Sequence, residues 1–483
     1  MEAVGVKLNE EPAGCGYHPA GSFYLSYFCF QKVFIYTRFA YYMMLLGTQR
    51  INKRGVLEIG GCDTVELAHK FGTPLYVMDE DLIRQNCRRY VSAFRALYPD
   101  TDIAFAGKSF MTTAMCRIVA QEGMFLDTAS AGELHTALTA GFPMERVLLH
   151  GSNKSVEELQ LAVKLGVGRI VIDNLLEIER LNDIAEKSGK RVGAMLRLTP
   201  GIDPHTHKLI RTGQADTKFG FNIKDGQAAA ALEMTLESRN IELKGFHCHI
   251  GSQLLDSSTH EQAVKIMVGF IANAAGVGYK AEELNIGGGL GIRYLPEHNP
   301  PSIEEFAERI VSTLNAEIKK YNLHKPRLML EPGRSIVGEA GTTLYTIGAI
   351  KTVPIKEHPG RRIYVSVDGG MSDNPRPALY DAKYSAIIAN KAAMKGDTVV
   401  TIAGKHCETD NLIYDILLPS PQTGDILAVQ STGAYNYSMA SNYNRFPRPA
   451  VVLVSSGKAE VIVKRETLDD LVKQDIIPKK LSG

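Results

Sequence analysis

A chain of 483 residues is longer than one hydrophobic core ordinarily serves, so two domains are the starting expectation. The balance of 54 basic against 53 acidic residues, with no block of like charges, argues against a nucleic-acid binder, which normally shows a basic face. Its seven cysteines are odd in number and show no paired spacing, which argues against a disulfide framework or zinc ribbon and fits a reducing cytoplasm. The first fifty residues differ from the rest, with eleven aromatics between Tyr17 and Tyr42. Gln31, Lys32 and Arg38 interrupt that run, so it never reaches the ~18 apolar residues needed to span a membrane. No small-residue cleavage site follows it, so a signal peptide fits poorly. Residues 1–50 are expected to be an extension outside the fold, with Met43 or Met44 as an alternative start.

From residue 100 onward, short β-branched runs alternate with amphipathic stretches. Strands are expected at 102–108, 124–130, 146–151, 169–173, 191–198, 243–250, 283–289 and 327–333. Helical periodicity marks 155–165, 175–188, 227–238 and 303–320 between them. Eight strands alternating with helices predict an α/β fold, a (β/α)8 TIM-type barrel over residues 51–335. The stretch 199–224 has no periodicity and reads as a functional loop. Beyond residue 336 the pattern changes to strands at 345–353, 362–367, 398–403, 426–430, 450–454 and 460–464. An all-β C-terminal domain is therefore expected over 336–483, with the run 74–78 available to join it from the N-terminal side.

Reactive residues close strand after strand: Lys108, Asp127 with Ser130, His150, Asp173, Arg197, His249, Gly287–Gly289, and Glu331 with Arg334. Strand ends are where barrel enzymes place their chemistry. A half-buried lysine loses its charge readily and can condense with an aldehyde, which suits pyridoxal phosphate at Lys108. The glycine run Gly287, Gly288 and Gly289 supplies backbone N–H groups for its phosphate. Glu331 could keep a pyridine nitrogen protonated, making the ring an electron sink for decarboxylation. His247 and His249 alternate with Cys248, and His205 and His207 lie in the long loop. A metal-dependent barrel hydrolase is thus the competing class, although such enzymes usually carry their His-x-His on the first strand.

These segments together resemble the diaminopimelate decarboxylase branch of the alanine-racemase-like, fold-type III pyridoxal enzymes. The motifs are Phe105–Ser109 (FAGKS), Asp127–Leu134 (DTASAGEL), His150–Lys154 (HGSNK), Lys218–Gly220 (KFG), Gly245–Ser252 (GFHCHIGS) and Glu331–Arg334 (EPGR). They continue with Asp368–Tyr380 (DGGMSDNPRPALY), Gly404–Asp410 (GKHCETD) and Gly433–Tyr435 (GAY), so the resemblance runs from Gly55 to Glu466.

The resemblance implies that Lys108 carries pyridoxal 5'-phosphate and that His249 stacks on its ring. Asp127, Ser252, Gly287, Gly288, Gly289, Gly333, Arg334 and Tyr435 would surround the cofactor, with Glu331 at the pyridine nitrogen. Arg334, Arg376, Tyr380, Glu408 and Tyr435 would hold a small-molecule substrate. Cys407, a thiol suited to proton donation, would come with Glu408 from the partner subunit of a homodimer with shared active sites. Two departures stand out: Ser109-Phe110 follows the lysine where the family often has Ala-Asn, and Thr409 stands where Ser is common. The implied activity is decarboxylation of meso-2,6-diaminopimelate in lysine biosynthesis. Decarboxylation of another basic amino acid or carboxylated polyamine is the nearer rival. A non-catalytic homologue would be expected to have lost Lys108 or Cys407, and both are present.

Overall fold

The computed structural model describes residues 44–202, 216–355 and 360–481. Eight parallel strands form a ring: Thr101–Ala106, Phe125–Thr128, Val147–Leu149, Arg169–Ile172, Val192–Thr199, Ile241–His247, Glu283–Asn285 and Arg327–Leu330. Closure comes where Leu328 of the last strand pairs with Thr101 of the first. The strands read as near-continuous apolar runs because both of their faces are covered. Ala104, Leu148, Val171, Met195 and Met329 form a small cluster of their own. Their neighbours along the strands, such as Ile103, Phe105, Leu149 and Leu328, pack among the helices instead. The period of two thus separates a filled barrel interior from an outer layer, which leaves chemistry to the rim.

The helices form where a cap and an apolar stripe coincide. In Ile303–Lys320 the Ser302 hydroxyl accepts from the Glu305 N–H and Glu305 reaches back, a reciprocal cap. Glu304 and Glu305 occupy the first turn and Lys319 and Lys320 the last, each sign matched to the helix dipole. Ile303, Phe306, Ala307, Ile310, Val311, Leu314 and Ile318 are the buried face, at helical spacing. Truncating Leu314 to Ala would cost about 2–5 kcal/mol, since a buried Leu leaves a cavity that collapses only in part.

The second domain is built on the long strand Gly341–Pro354. It pairs antiparallel with Arg361–Val367, Ile426–Gln430 and Leu75–Asp79. Ala450–Ser455 runs parallel to Leu75–Asp79, so the run expected at 74–78 lies inside this sheet. The strand Asn411–Leu418, which pairs with Thr398–Ala403, is absent from the sequence expectation. Its register shifts twice and Asp415 sits at φ 50°, which breaks the alternation that would have marked it.

The N-terminal boundaries also differ from expectation. Residues 44–50 are not outside the fold: Leu46 and Gln49 are buried, and Gln49 Nε2 donates to Thr342 Oγ1 at 3.0 Å. Leu57, Ile59, Leu67 and Ala68 pack with Leu344, Ala428 and Val452 of the second sheet rather than with the barrel. The barrel's own sequence therefore starts near residue 80, although Tyr76 and Met78 also face the barrel core. Of the loop expected at 199–224, the described part includes a short strand, Phe221–Asn222, beside Val192–Thr199. Among the described residues, no helix is long and apolar enough to cross a membrane.

Candidate active site

The C-terminal ends of the barrel strands open on a cavity. Its walls are Ala106, Lys108, Asp127, His249, Ser252, Gly288, Gly289, Leu290, Glu331, Gly333, Arg334 and Tyr435. Lys108 sits in a single 3-10 turn, Gly107–Ser109, directly after the first strand. Its side chain meets solvent through the cavity mouth while protein surrounds it on the other sides. Burial works against the ammonium charge, but Asp127, Tyr435 and Glu331 outweigh it and raise the pKa.

Glycine is obligatory in the floor. A Cβ on Gly288 would stand 2.1 Å from the Glu331 carbonyl oxygen, so backbone alone can occupy that position and a ligand can approach it closely. The Gly288 N–H donates to His249 Nδ1 at 3.3 Å, which orients the imidazole. Burial, and then the positive charges of Lys108 and Arg197, push the His249 pKa well down, leaving a neutral flat ring. Also lining the cavity, Arg334 donates from Nε and Nη2 to Ser252 Oγ at 3.2 and 3.1 Å. Its Nη1 donates to the Tyr294 hydroxyl, and its guanidinium lies 4.8 Å from the Tyr435 ring centre.

Glu331 is buried, and both of its carboxylate oxygens are hydrogen-bonded. Oε1 is 2.8 Å from His150 Nε2 and 2.8 Å from Asn285 Nδ2, and Oε2 is 3.1 Å from His247 Nε2. Burial alone would raise its carboxyl, but His150 and His247 outweigh burial and hold it well below the usual carboxylate range. Asp127 behaves oppositely. Burial and the nearby Glu331 charge push its carboxyl up to about 6, against the lowering effect of His150 and Lys108. Atoms of His150, His247 and Glu331 come within 4.8 Å of one another, a spacing a cation can use. The neighbours oppose one: Asn285 donates into the same carboxylate, and the charges of Lys108 and Arg197 reach it. His205 and His207, which the competing metal expectation needs, lie outside the described residues.

The second domain reaches the cavity through Tyr435, whose φ of 69° is left-handed. Arg376 is buried behind it, its guanidinium 5.4 Å from the Tyr435 ring centre and 5.1 Å from that of Tyr380. Arg376 Nε has no hydrogen-bond partner among the described residues. Arg376 and Tyr380 thus stand one ring away from the cavity and do not line it. Gly287, with φ 70°, lies just behind Gly288. Cys407 and Glu408 are exposed and outside the cavity of this chain. Cys407 donates its backbone N–H to Asn444 Oδ1 at 3.1 Å, and the Tyr443 hydroxyl donates to Glu408 Oε1 at 2.6 Å.

Residues 81–338 match the family described as pyridoxal-dependent decarboxylase, pyridoxal binding domain. The diaminopimelate decarboxylase of Bacillus subtilis is 48% identical over 90% of this chain and 98% of its own length. The chain belongs to the diaminopimelate decarboxylase family of pyridoxal-dependent enzymes. The diaminopimelate decarboxylase of Synechocystis is 44% identical over 90% of this chain and 93% of its own. A crystal structure of the M. jannaschii diaminopimelate decarboxylase in complex with L-lysine superposes with a TM-score of 0.84 at 36% identity, covering 91% of this chain and all of that one. The cavity fits the family's cofactor on its own features: a lysine flanked by carboxylates, and a glycine floor too tight for any side chain. Sequence reasoning gave no role to Asn285, to His247 as a partner of Glu331, or to Tyr294. Only the placement of Asn285 and His247 at strand ends could have flagged them.

Proposed function

We propose that this diaminopimelate decarboxylase family member converts meso-2,6-diaminopimelate to L-lysine and carbon dioxide, the last step of lysine biosynthesis, in the cytoplasm and as a homodimer. The observation that carries the reading is the convergence of Lys108, the glycine floor and the buried Glu331 on one cavity. Lys108 is the attachment point for pyridoxal phosphate. When bound, the cofactor supplies an electron sink for the bond that loses carbon dioxide. His249 covers one face of the site as a neutral ring, and Glu331 provides the carboxylate for the pyridine nitrogen. Asp127 faces Lys108 and balances its charge. Ser252, Gly287, Gly288, Gly289, Gly333, Arg334 and Tyr435 surround the phosphate.

Arg334, Arg376, Tyr380 and Tyr435 hold the substrate. Diaminopimelate carries a carboxylate at each end, and a guanidinium fork matches a carboxylate with two parallel hydrogen bonds. Arg376, buried with an Nε that has no partner among the described residues, is built to receive one. Cys407 and Glu408, exposed and outside this chain's cavity, serve the partner subunit's site: the thiol returns a proton to the substrate carbon and Glu408 holds the distal ammonium. The purified protein should show a visible absorption band that borohydride abolishes, and it should release lysine from diaminopimelate. Stoichiometric zinc with no such band would overturn the reading in favour of metal chemistry.

A further inference from the structure

The partners of Glu331 are all donors of a particular kind. A carboxylate offers about four acceptor positions, two on each oxygen. Oε1 takes two donors, His150 Nε2 and Asn285 Nδ2, both at 2.8 Å, and Oε2 takes one, His247 Nε2 at 3.1 Å. One position on Oε2 is left, and Glu331 lines the cavity. The orientation of Asn285 is set independently. Its Oδ1 accepts the Gly287 N–H at 2.9 Å, so the NH2 end must face Glu331. His247 is fixed in the same sense. Its Nδ1 is buried without a hydrogen-bond partner among the described residues, which an unprotonated nitrogen tolerates far better than an N–H, so the proton belongs on Nε2. Burial holds His247 neutral, with a pKa lowered to about 4, despite the attraction of Glu331.

We infer that His150, His247 and Asn285 are positioning residues that reserve a single acceptor site on an ionised Glu331 for the pyridine N–H of the cofactor. The inference rests on the proposed pyridoxal chemistry and deepens it. An amide and a neutral imidazole can donate to Glu331 but have no reason to give up their protons to it. Three such donors lower the proton affinity of the carboxylate, so the shared proton stays on the ring nitrogen. Lys108, Arg197 and Asp127 also face Glu331, and the two cations act in the same direction. The three donors come from the ends of three strands, so the barrel rim itself sets the protonation of the ring.

The test is nitrogen-15 NMR of holoenzyme carrying pyridoxal phosphate labelled at the ring nitrogen. Wild type and His247→Gln, whose amide can still donate, should both show a protonated ring nitrogen. In His247→Leu and Asn285→Leu the resonance should move toward that of an unprotonated pyridine, and kcat should fall more than KM rises. An unmoved resonance in variants that keep the cofactor on Lys108 would overturn the inference and leave the decarboxylase reading standing. Absence of any cofactor on Lys108 in wild type would overturn that reading instead. Imidazole nitrogen spectra of histidine-labelled wild type need no variant: His247 must be neutral with the proton on Nε2, and any other state sinks the inference.

Discussion

The backbone N–H of Tyr435 donates to the carbonyl oxygen of Ser109 at 2.7 Å. A loop of the second domain is thereby tied to the residue that follows Lys108. Two close backbone approaches permit this. A Cβ on Gly433 would lie 1.8 Å from the Val337 carbonyl oxygen, and one on Gly341 would lie 2.2 Å from Gly433 Cα. Gly433→Ala must push the loop outward. It should cost about 1–3 kcal/mol in unfolding free energy, as overpacking does. Cofactor retention on dialysis should fall further than the melting temperature suggests, because Tyr435 moves with the loop. A variant as stable as wild type with full cofactor retention would show that the tie is dispensable.

Lys108→Ala should abolish activity and covalent cofactor attachment while leaving circular dichroism unchanged. After borohydride reduction of wild type, peptide mass spectrometry should find the pyridoxyl group on Lys108. Its appearance on another lysine would refute the assignment.

Cys407 and Glu408 lie exposed and outside the cavity of their own chain. Mixing Lys108→Ala with Cys407→Ala, each inactive, should therefore restore activity. With free subunit exchange, half the dimers are mixed and each holds one intact site, so about a quarter of wild-type activity is expected. No recovery after exchange is verified by mass would place the thiol's role within one chain or nowhere.

Arg376 is the test of substrate choice. Removing one charge-assisted contact costs about 2–5 kcal/mol when its partner charge is left unpaired. Arg376→Ala should lower kcat/KM for diaminopimelate by roughly 30- to several-thousand-fold. Since its guanidinium sits 5.4 Å from the Tyr435 ring centre, some loss of cofactor affinity should accompany this. Wild-type turnover of ornithine or arginine at a comparable rate would contradict the diaminopimelate reading.

Asp373 gives a stability signature. Burial pushes its carboxyl up to about 7, although the Tyr345 hydroxyl and the Gly370 N–H both donate to it. From about pH 4, where an unfolded Asp titrates, up to about pH 7, the folded state therefore holds a proton that the unfolded chain releases. Stability should fall as pH rises through that window, by at most ~4 kcal/mol across its whole width. Asp373→Asn should flatten this part of the profile, measured by urea midpoints. An unchanged slope would assign the dependence to other groups.

The eight barrel strands, the helices between them and the change of style near residue 336 were legible in the sequence, because each depends on local pattern. An apolar run, a helical apolar stripe and a glycine run at a strand end all leave their mark within a few residues. Lys108, Gly288 and Glu331 were legible for the same reason, as they stand where strands end. The strand Asn411–Leu418 was hidden by its own irregularity, since a shifted register and a left-handed Asp415 erase the alternation. The membership of residues 50–79 was hidden by distance, because the sheet that covers them is supplied from beyond residue 340. The environment of Glu331 was hidden likewise. Its partners His150, His247 and Asn285 lie 181, 84 and 46 residues away along the chain. Local physics determines that a carboxylate ends the eighth strand. Only closure of the ring, which brings the ends of several strands into one small volume, decides how many hydrogen bonds it receives and what charge it keeps.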